Sequence, residues 1–432
     1  MARLAARPDR ARRGAGVTAS PPPRDRGGAP VTARVGTDLV GARLEERLRA
    51  AEALFGAEAD RIARLCHRMA ERFIRGGRLI ALGAAGADRS DVRHVAVEFV
   101  HPVIVGKRAL PALGLSAEGG PLAAQVDLVA EPGDMAIGFG DGPDVRAALA
   151  VARGRGCLTI AFEPVGADWE LLPQSDDPFV RQELVETAYH VLWELVHVFF
   201  DHRGLLEGRP AGAVSDAGAS SFLYPFLDER EDDLEAVVAD VRASVLMKAA
   251  EVGALREQTL GENGETLLRA ATELRDAFAR GGRLLALGNG GSATDAMDAV
   301  ADFRSAGVAG GPARPALDLT EDAAILTALA NDIGVEGIFS RQVIAHGRPE
   351  DVLLAISTSG GSANVILALT EARRRGLRTI ALVGYDGGRI AAERLADHVI
   401  ITRSEHIPRI QEAQASALHV LRELVETVGT PA

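Results

Sequence analysis

The chain has 432 residues, 47% of them hydrophobic and 25% charged, with a formal net charge of −12. That length accommodates two domains with cores of their own, and the acidic balance argues against general nucleic-acid binding, which needs a basic surface. No apolar run approaches the length of a membrane span, and Cys66 and Cys157 have no paired spacing, so a cytoplasmic location is expected without a disulfide framework or a Cys-based zinc site.

Residues 1–37 are rich in Arg, Pro, Gly and Ala and read as a disordered tail; it is Arg-rich and acid-poor like a transit peptide but lacks the apolar region of a secretory signal. From Asp38 the apolar residues take helical spacing through Leu44, Leu48, Leu54, Phe55, Ile62, Leu65, Met69 and Phe73. The segment Phe73–Gly83 then matches Phe278–Gly288 at nine of eleven positions, which makes an internal duplication the first feature to explain. The match continues from Pro111–Leu115 to Pro315–Leu319, from Gly156–Ala161 to Gly376–Ala381, and from Gln182, His190 and Glu194 to Gln411, His419 and Glu423. Two copies of one α/β domain are therefore expected, at 38–204 and 233–430, joined by a Gly-, Pro- and Ser-containing linker at 205–232. In each copy short apolar strands alternate with helical patterns, which predicts a parallel sheet covered by helices on both faces. In the second copy strands fall near 284–288, 315–319, 352–356, 379–383 and 398–402, and the last helix runs from about Pro408 to Val428.

The second copy carries two hydroxyl-rich turns between strand and helix. Leu284–Leu287 runs into Gly288-Asn289-Gly290-Gly291-Ser292, where Ser292 is placed to cap the following helix, and Val352–Ile356 runs into Ser357-Thr358-Ser359-Gly360-Gly361-Ser362. Free N–H groups in such turns bind anions, usually phosphate, and two of them at the carboxyl edge of one sheet can converge on one sugar phosphate.

Together with Ala330-Asn331-Asp332, Gly384–Gly388 and Arg409–Glu412, these loops resemble the phosphoheptose isomerases of the sugar isomerase (SIS) superfamily. The resemblance spans the whole second copy and, more faintly, the first. It implies flavodoxin-like three-layer sandwiches, a homo-oligomer, sites between domains, and interconversion of sedoheptulose 7-phosphate with D-glycero-D-manno-heptose 7-phosphate. It also implies zinc and proton-transfer residues: a His-x-x-x-Glu pair after the first Gly loop, and a Gln with a His eight residues later on the last helix.

The copies depart from that pattern in opposite ways. The second keeps Gln411 and His419 but has Asp298 and Asp302 in place of the first pair. The first keeps His94 and Glu98, with Gln182 and His190, but its loops Gly83–Ala87 and Gly138–Pro143 have lost their hydroxyls and gained an acid. The expected arrangement is a composite site. Asn289, Gly290, Gly291, Ser292, Asn331, Asp332, Ser357, Thr358, Ser359, Ser362 and Gln411 hold the substrate. His94, Glu98, Gln411 and His419 hold Zn²⁺, and Glu98 and His419 carry protons. Gln182, His190, Asp298 and Asp302 form a second metal set. Each feature has a plainer reading: His94 and Glu98 are spaced as an ordinary i, i+4 pair, Asp298 and Asp302 as an acidic face or a site for a harder ion such as Mg²⁺, and Asn331-Asp332 as a helix cap. The alternative function is a non-catalytic phosphosugar-binding regulatory or scaffold protein. The tandem layout is also similar to the isomerase half of glucosamine-6-phosphate synthase.

Overall fold

The computed structural model describes residues 31–84, 86–104, 107–201, 233–306 and 311–427. The expected linker and most of the expected tail lie outside these residues. Residues 31–37, assigned to the tail from composition, instead belong to the first helix.

The first half consists of α1 (Val31–Ile74), β1 (Leu79–Gly83), α2 (Ala87–Val100), β2 (Ala112–Ser116), α3 (Leu122–Val129), β3 (Met135–Phe139), α4 (Pro143–Gly154), β4 (Leu158–Ala161), β5 (Trp169–Glu170) and α5 (Pro178–Asp201). The second half repeats it with α6 (Leu234–Ala279), β6 (Leu284–Leu287), α7 (Gly291–Arg304), β7 (Ala316–Asp318), α8 (Ala323–Ile333), α9 (Ile338–His346), β8 (Val352–Ser357), α10 (Ala363–Arg374), β9 (Arg378–Gly384), α11 (Gly388–Ala392), β10 (His398–Thr402) and α12 (Ile407–Thr427). Both sheets are parallel, in the orders β2-β1-β3-β4-β5 and β7-β6-β8-β9-β10. That is the flavodoxin-like order, in which ligands gather where the strand order reverses, beside the first strand. The central strands β1, β3, β6 and β8 are buried along their whole length, as continuous apolar runs require in a sheet covered on both faces.

Asp233 caps α6 by accepting from the Glu235 N–H at 3.0 Å. The long helices α1 and α6 pack on each other, and each contributes to the other half's core. Val237, Val238, Val241 and Val245 of α6 join the first half's core, and Val40 of α1 joins the second's. Between the sheets, α2 and α5 of the first half meet α7 and α12 of the second. Among the described residues no helix is long and apolar enough to cross a membrane.

Candidate active site between the two halves

The two loops of the second half are built as one cradle. Asn289, after β6, and Asn364, in the first turn of α10, exchange side-chain amide hydrogen bonds at 3.0 and 2.9 Å, tying the loops together. Asn364 was not singled out in the sequence because an Asn inside a helix carries no loop signal. Ser357 Oγ accepts from the Gly360 N–H at 3.2 Å and lies 3.4 Å from Ser362 Oγ, while Ser359 Oγ accepts from the Gly361 N–H at 3.2 Å. Gly360 has φ +59, and a Cβ there would meet the Gly387 carbonyl at 2.2 Å. The Asp386–Gly388 turn is thus packed against the loop backbone, and a Cβ on Gly384 would meet the Thr358 carbonyl at 2.4 Å. Gly290, with φ +57, is the N-cap of α7; Ser292, expected as the cap, is instead buried inside the first turn. Asn331 and Asp332 do not cap the start of a helix. They are exposed at the carboxyl end of α8, bonded to each other at 2.8 Å.

The matching cradle of the first half is filled by a carboxylate. Asp88 precedes His94 by the same six residues that separate Ser292 from Asp298, and a Cβ on Gly140 would lie 2.5 Å from its Oδ2. Burial, then the neighbouring Asp141, pushes the Asp88 carboxyl up to about 6. Two acids at this position repel a phosphate, so only the second half's cradle suits one.

His94 crosses the interface to that cradle. A Cβ on Gly291 would meet the Gln411 amide nitrogen at 1.9 Å and His94 Nε2 at 3.0 Å, so both side chains press on the loop of the second half. Gln411 Nε2 lies 3.1 Å from His94 Nε2, and His190 Nε2 lies 3.2 Å from the same atom. Each imidazole is held from behind. His190 donates through Nδ1 to Glu412 at 2.9 Å, and His94 Nδ1 is 3.1 Å from the Tyr189 hydroxyl, which is also hydrogen-bonded to Asp91. Burial, then His190, lowers the pKa of His94, and burial, then Arg409, lowers that of His190 to about 3. Two neutral rings with Nδ1–H spent elsewhere turn their Nε2 lone pairs on each other. Glu98, 3.9 Å from His94, is 2% exposed, and burial, then Glu194, pushes its carboxyl up to about 8.

The histidines are paired differently from the sequence expectation. His419, expected beside His94 and Glu98, groups with Asp298 and Asp302, each 3.5 Å from its Nε2. Its Nδ1 bonds Glu183 at 2.8 Å and its ring stacks on Phe179. Burial opposes a charge on His419, but the carboxylates of Asp298 and Glu183 outweigh it and raise its pKa. Burial, then Asp298, pushes Asp302 up to about 8. His190, expected in the second set, stands with His94 instead. Gln182 turns its amide to Asp91 at 3.3 Å. Each site therefore takes its imidazole and its pair after the Gly loop from one half. At the first site the Gln comes from the other half, so His94, His190 and Gln411 stand together with Glu98 beside them.

These residues fit a zinc ion. Nitrogen and oxygen donors suit it, and two ring nitrogens on a tetrahedral ion with bonds of about 2.0–2.1 Å stand about 3.3 Å apart. Glu98 Oε2 and Gln411 Oε1 are buried without a hydrogen-bond partner among the described residues, which leaves both open to a cation.

Residues 249–384 match the SIS domain family. A phosphoheptose isomerase of Nitratidesulfovibrio vulgaris is 40% identical over 187 residues, covering 43% of this chain and 89% of that protein. One from Citrifermentans bemidjiense is 46% identical over 166 residues, covering 38% and 85%. Two solved structures resemble nearly the whole chain and show the fold of both halves. The C-terminal domain of glucosamine-fructose-6-phosphate aminotransferase from Francisella tularensis has a TM-score of 0.56 at 11% identity, covering 90% of this chain and 95% of that one. The tagatose-6-phosphate ketose/aldose isomerase from Escherichia coli has a TM-score of 0.52 at 15% identity, covering 94% and 97%. On its similarity to these curated relatives, the chain belongs to the phosphoheptose isomerase family of SIS-domain proteins.

Proposed function

We propose that this chain is a phosphosugar aldose–ketose isomerase with one working site per chain, interconverting sedoheptulose 7-phosphate and D-glycero-D-manno-heptose 7-phosphate. The observation that carries the reading is that His94, from the half whose own cradle is filled by Asp88, presses with Gln411 on Gly291 of the intact cradle. The phosphate is held by Ser357, Ser359, Ser362 and the N–H of Gly291, remote from the reacting carbons, so that its binding energy positions the sugar. Glu98 removes the proton from the carbon next to the carbonyl and returns it to the neighbouring carbon. A carboxyl raised to about 8 by burial, then by Glu194, suits a group that must both take and give a proton near neutrality. His190, rather than His419, is the last-helix histidine of this site. His94, His190, Gln411 and a carboxylate would hold a zinc ion, which when bound would supply Lewis-acid stabilisation for the charge developing on the sugar oxygens.

The test is turnover of sedoheptulose 7-phosphate by the chelator-stripped full chain, with and without added Zn²⁺. Zinc-dependent aldose formation is expected, with Glu98→Gln losing turnover by at least about 10²-fold while still binding the sugar phosphate. Binding with no turnover by the wild type under either condition would leave the non-catalytic, phosphosugar-binding reading in its place.

A further inference from the structure

Glu186, on α5, has no place in the family pattern and was not singled out in the sequence. It follows Gln182 by four residues, one helical turn, and the matching position after Gln411 is Ala415. The first half alone therefore brings a carboxylate to this point. Glu186 is 1% exposed, and its Oε1 has no hydrogen-bond partner among the described residues. Its carboxylate and the ring nitrogens of His94 and His190 all lie within 4.8 Å of one another. The charges that act on it most strongly are those of acids, Asp295, Glu412, Asp91 and Asp298, and Arg256 is the cation in its field. Asp295 adds a second buried orphan, Oδ2, to the same cluster. A fully buried carboxylate among acids, without a donor, facing two imidazole lone pairs, is an incomplete arrangement that one divalent cation completes.

We propose that Glu186 is the carboxylate ligand of a divalent transition metal held with His94, His190 and Gln411, which leaves Glu98 free as the proton carrier. The assignment rests on the isomerase reading only for the role of Glu98; the metal site stands on its own geometry. Glu98 has an oxygen 3.9 Å from His94 Nε2, but it does not join the set that Glu186 forms with both rings. The two jobs of binding metal and moving protons are thereby divided between two carboxylates.

The experiment uses the full chain stripped of metal, titrated with Zn²⁺ against a chromophoric chelator and with Co²⁺ by visible absorption. One tight equivalent is expected in the wild type. Losing a partner behind a ligand typically weakens metal binding 10–100-fold, so Glu186→Gln and Glu186→Ala, which lose a ligand, are expected to weaken it by about 100-fold or more and to change the Co²⁺ spectrum. Glu98→Gln is expected to stay within a few-fold of wild type. Replacing a buried acid that has acids around it with a neutral side chain of the same shape should leave the metal-free melting temperature unchanged or higher, so lost affinity is not lost folding. The isosteric Gln variant carries the test if the Ala variant does not fold. Wild-type affinity in Glu186→Gln, a loss confined to Glu98→Gln, or no metal bound by the wild type would each overturn the assignment. Turnover measured on the same samples separates the two claims: a wild type that binds metal through Glu186 and does not turn over sinks the isomerase reading alone.

Discussion

At the scale of single residues, the site depends on one missing methyl group. Gly291 opens α7, where its backbone is ordinary for a helix and an alanine is favoured by propensity. What forbids a side chain there is contact, since the added carbon would lie 1.9 Å from the Gln411 amide. Gly291→Ala is therefore expected to keep the fold and displace Gln411 and His94 together. A misplacement of about 1 Å costs on the order of 10²-fold in rate. The matching check is kcat for sedoheptulose 7-phosphate alongside the melting temperature; a variant with undiminished kcat would show that these two side chains do not serve the reaction. The same logic explains Gly140, where the carboxylate of Asp88 fills the space that the proposed phosphate would take in the other half. The loss of hydroxyls from that loop was legible in the sequence. The acid that fills the cradle was not, because Asp88 lies outside the loop it blocks.

At the scale of elements, one carboxylate ties four helices together. Glu183 of α5 accepts from Arg47 of α1 at 2.9 and 3.0 Å and from Ser416 of α12 at 2.5 Å. It also bonds His419 of α12 at 2.8 Å and faces Arg256 of α6 at 3.7 Å. Burial alone would raise its pKa, but Arg47, then His419, hold it well below the usual carboxylate range. A depressed pKa means the unfolded chain binds the extra proton, so this contribution is fully present above the unfolded value of about 4.3 and is lost as pH falls through the folded one. Glu183→Gln leaves buried cations facing a neutral amide and is expected to cost roughly 3–5 kcal/mol at neutral pH. The stability gap from wild type, measured by urea unfolding, should shrink steadily below about pH 4.3; a gap independent of pH would contradict the charged state assigned here. This network also shows where sequence reading stopped. Strand positions, the duplication and the last helix follow from apolar periodicity and from matched segments such as Phe73–Gly83 and Phe278–Gly288. Whether His190 or His419 stands beside His94 depends on how α5 and α12 cross, and neither periodicity nor spacing encodes a crossing between helices more than two hundred residues apart in the chain.

At the scale of the whole molecule, the duplication has produced two folds that are not independent. Each core contains a piece of the other half: Val237, Val238, Val241 and Val245 of α6 in one, Val40 of α1 in the other. The faces of α2, α5, α7 and α12 that meet between the sheets are polar and buried, carrying Asp91, His94, Glu98, Glu183, Asp298 and Gln411. Separating the halves would hydrate those groups but would also strip apolar area from both cores, and the second effect disfavours a state with one half folded alone. The chain is therefore expected to unfold as a single cooperative unit. Its two tryptophans, Trp169 and Trp193, both lie in the first half, so their fluorescence follows that half alone, while far-UV circular dichroism follows both. Coincident urea transitions by the two probes are the expected result. A circular-dichroism transition that continues after the fluorescence change is complete would mean that the second half survives without the first. The site would then assemble from two separately stable parts, and His94 would reach the cradle by docking rather than by folding.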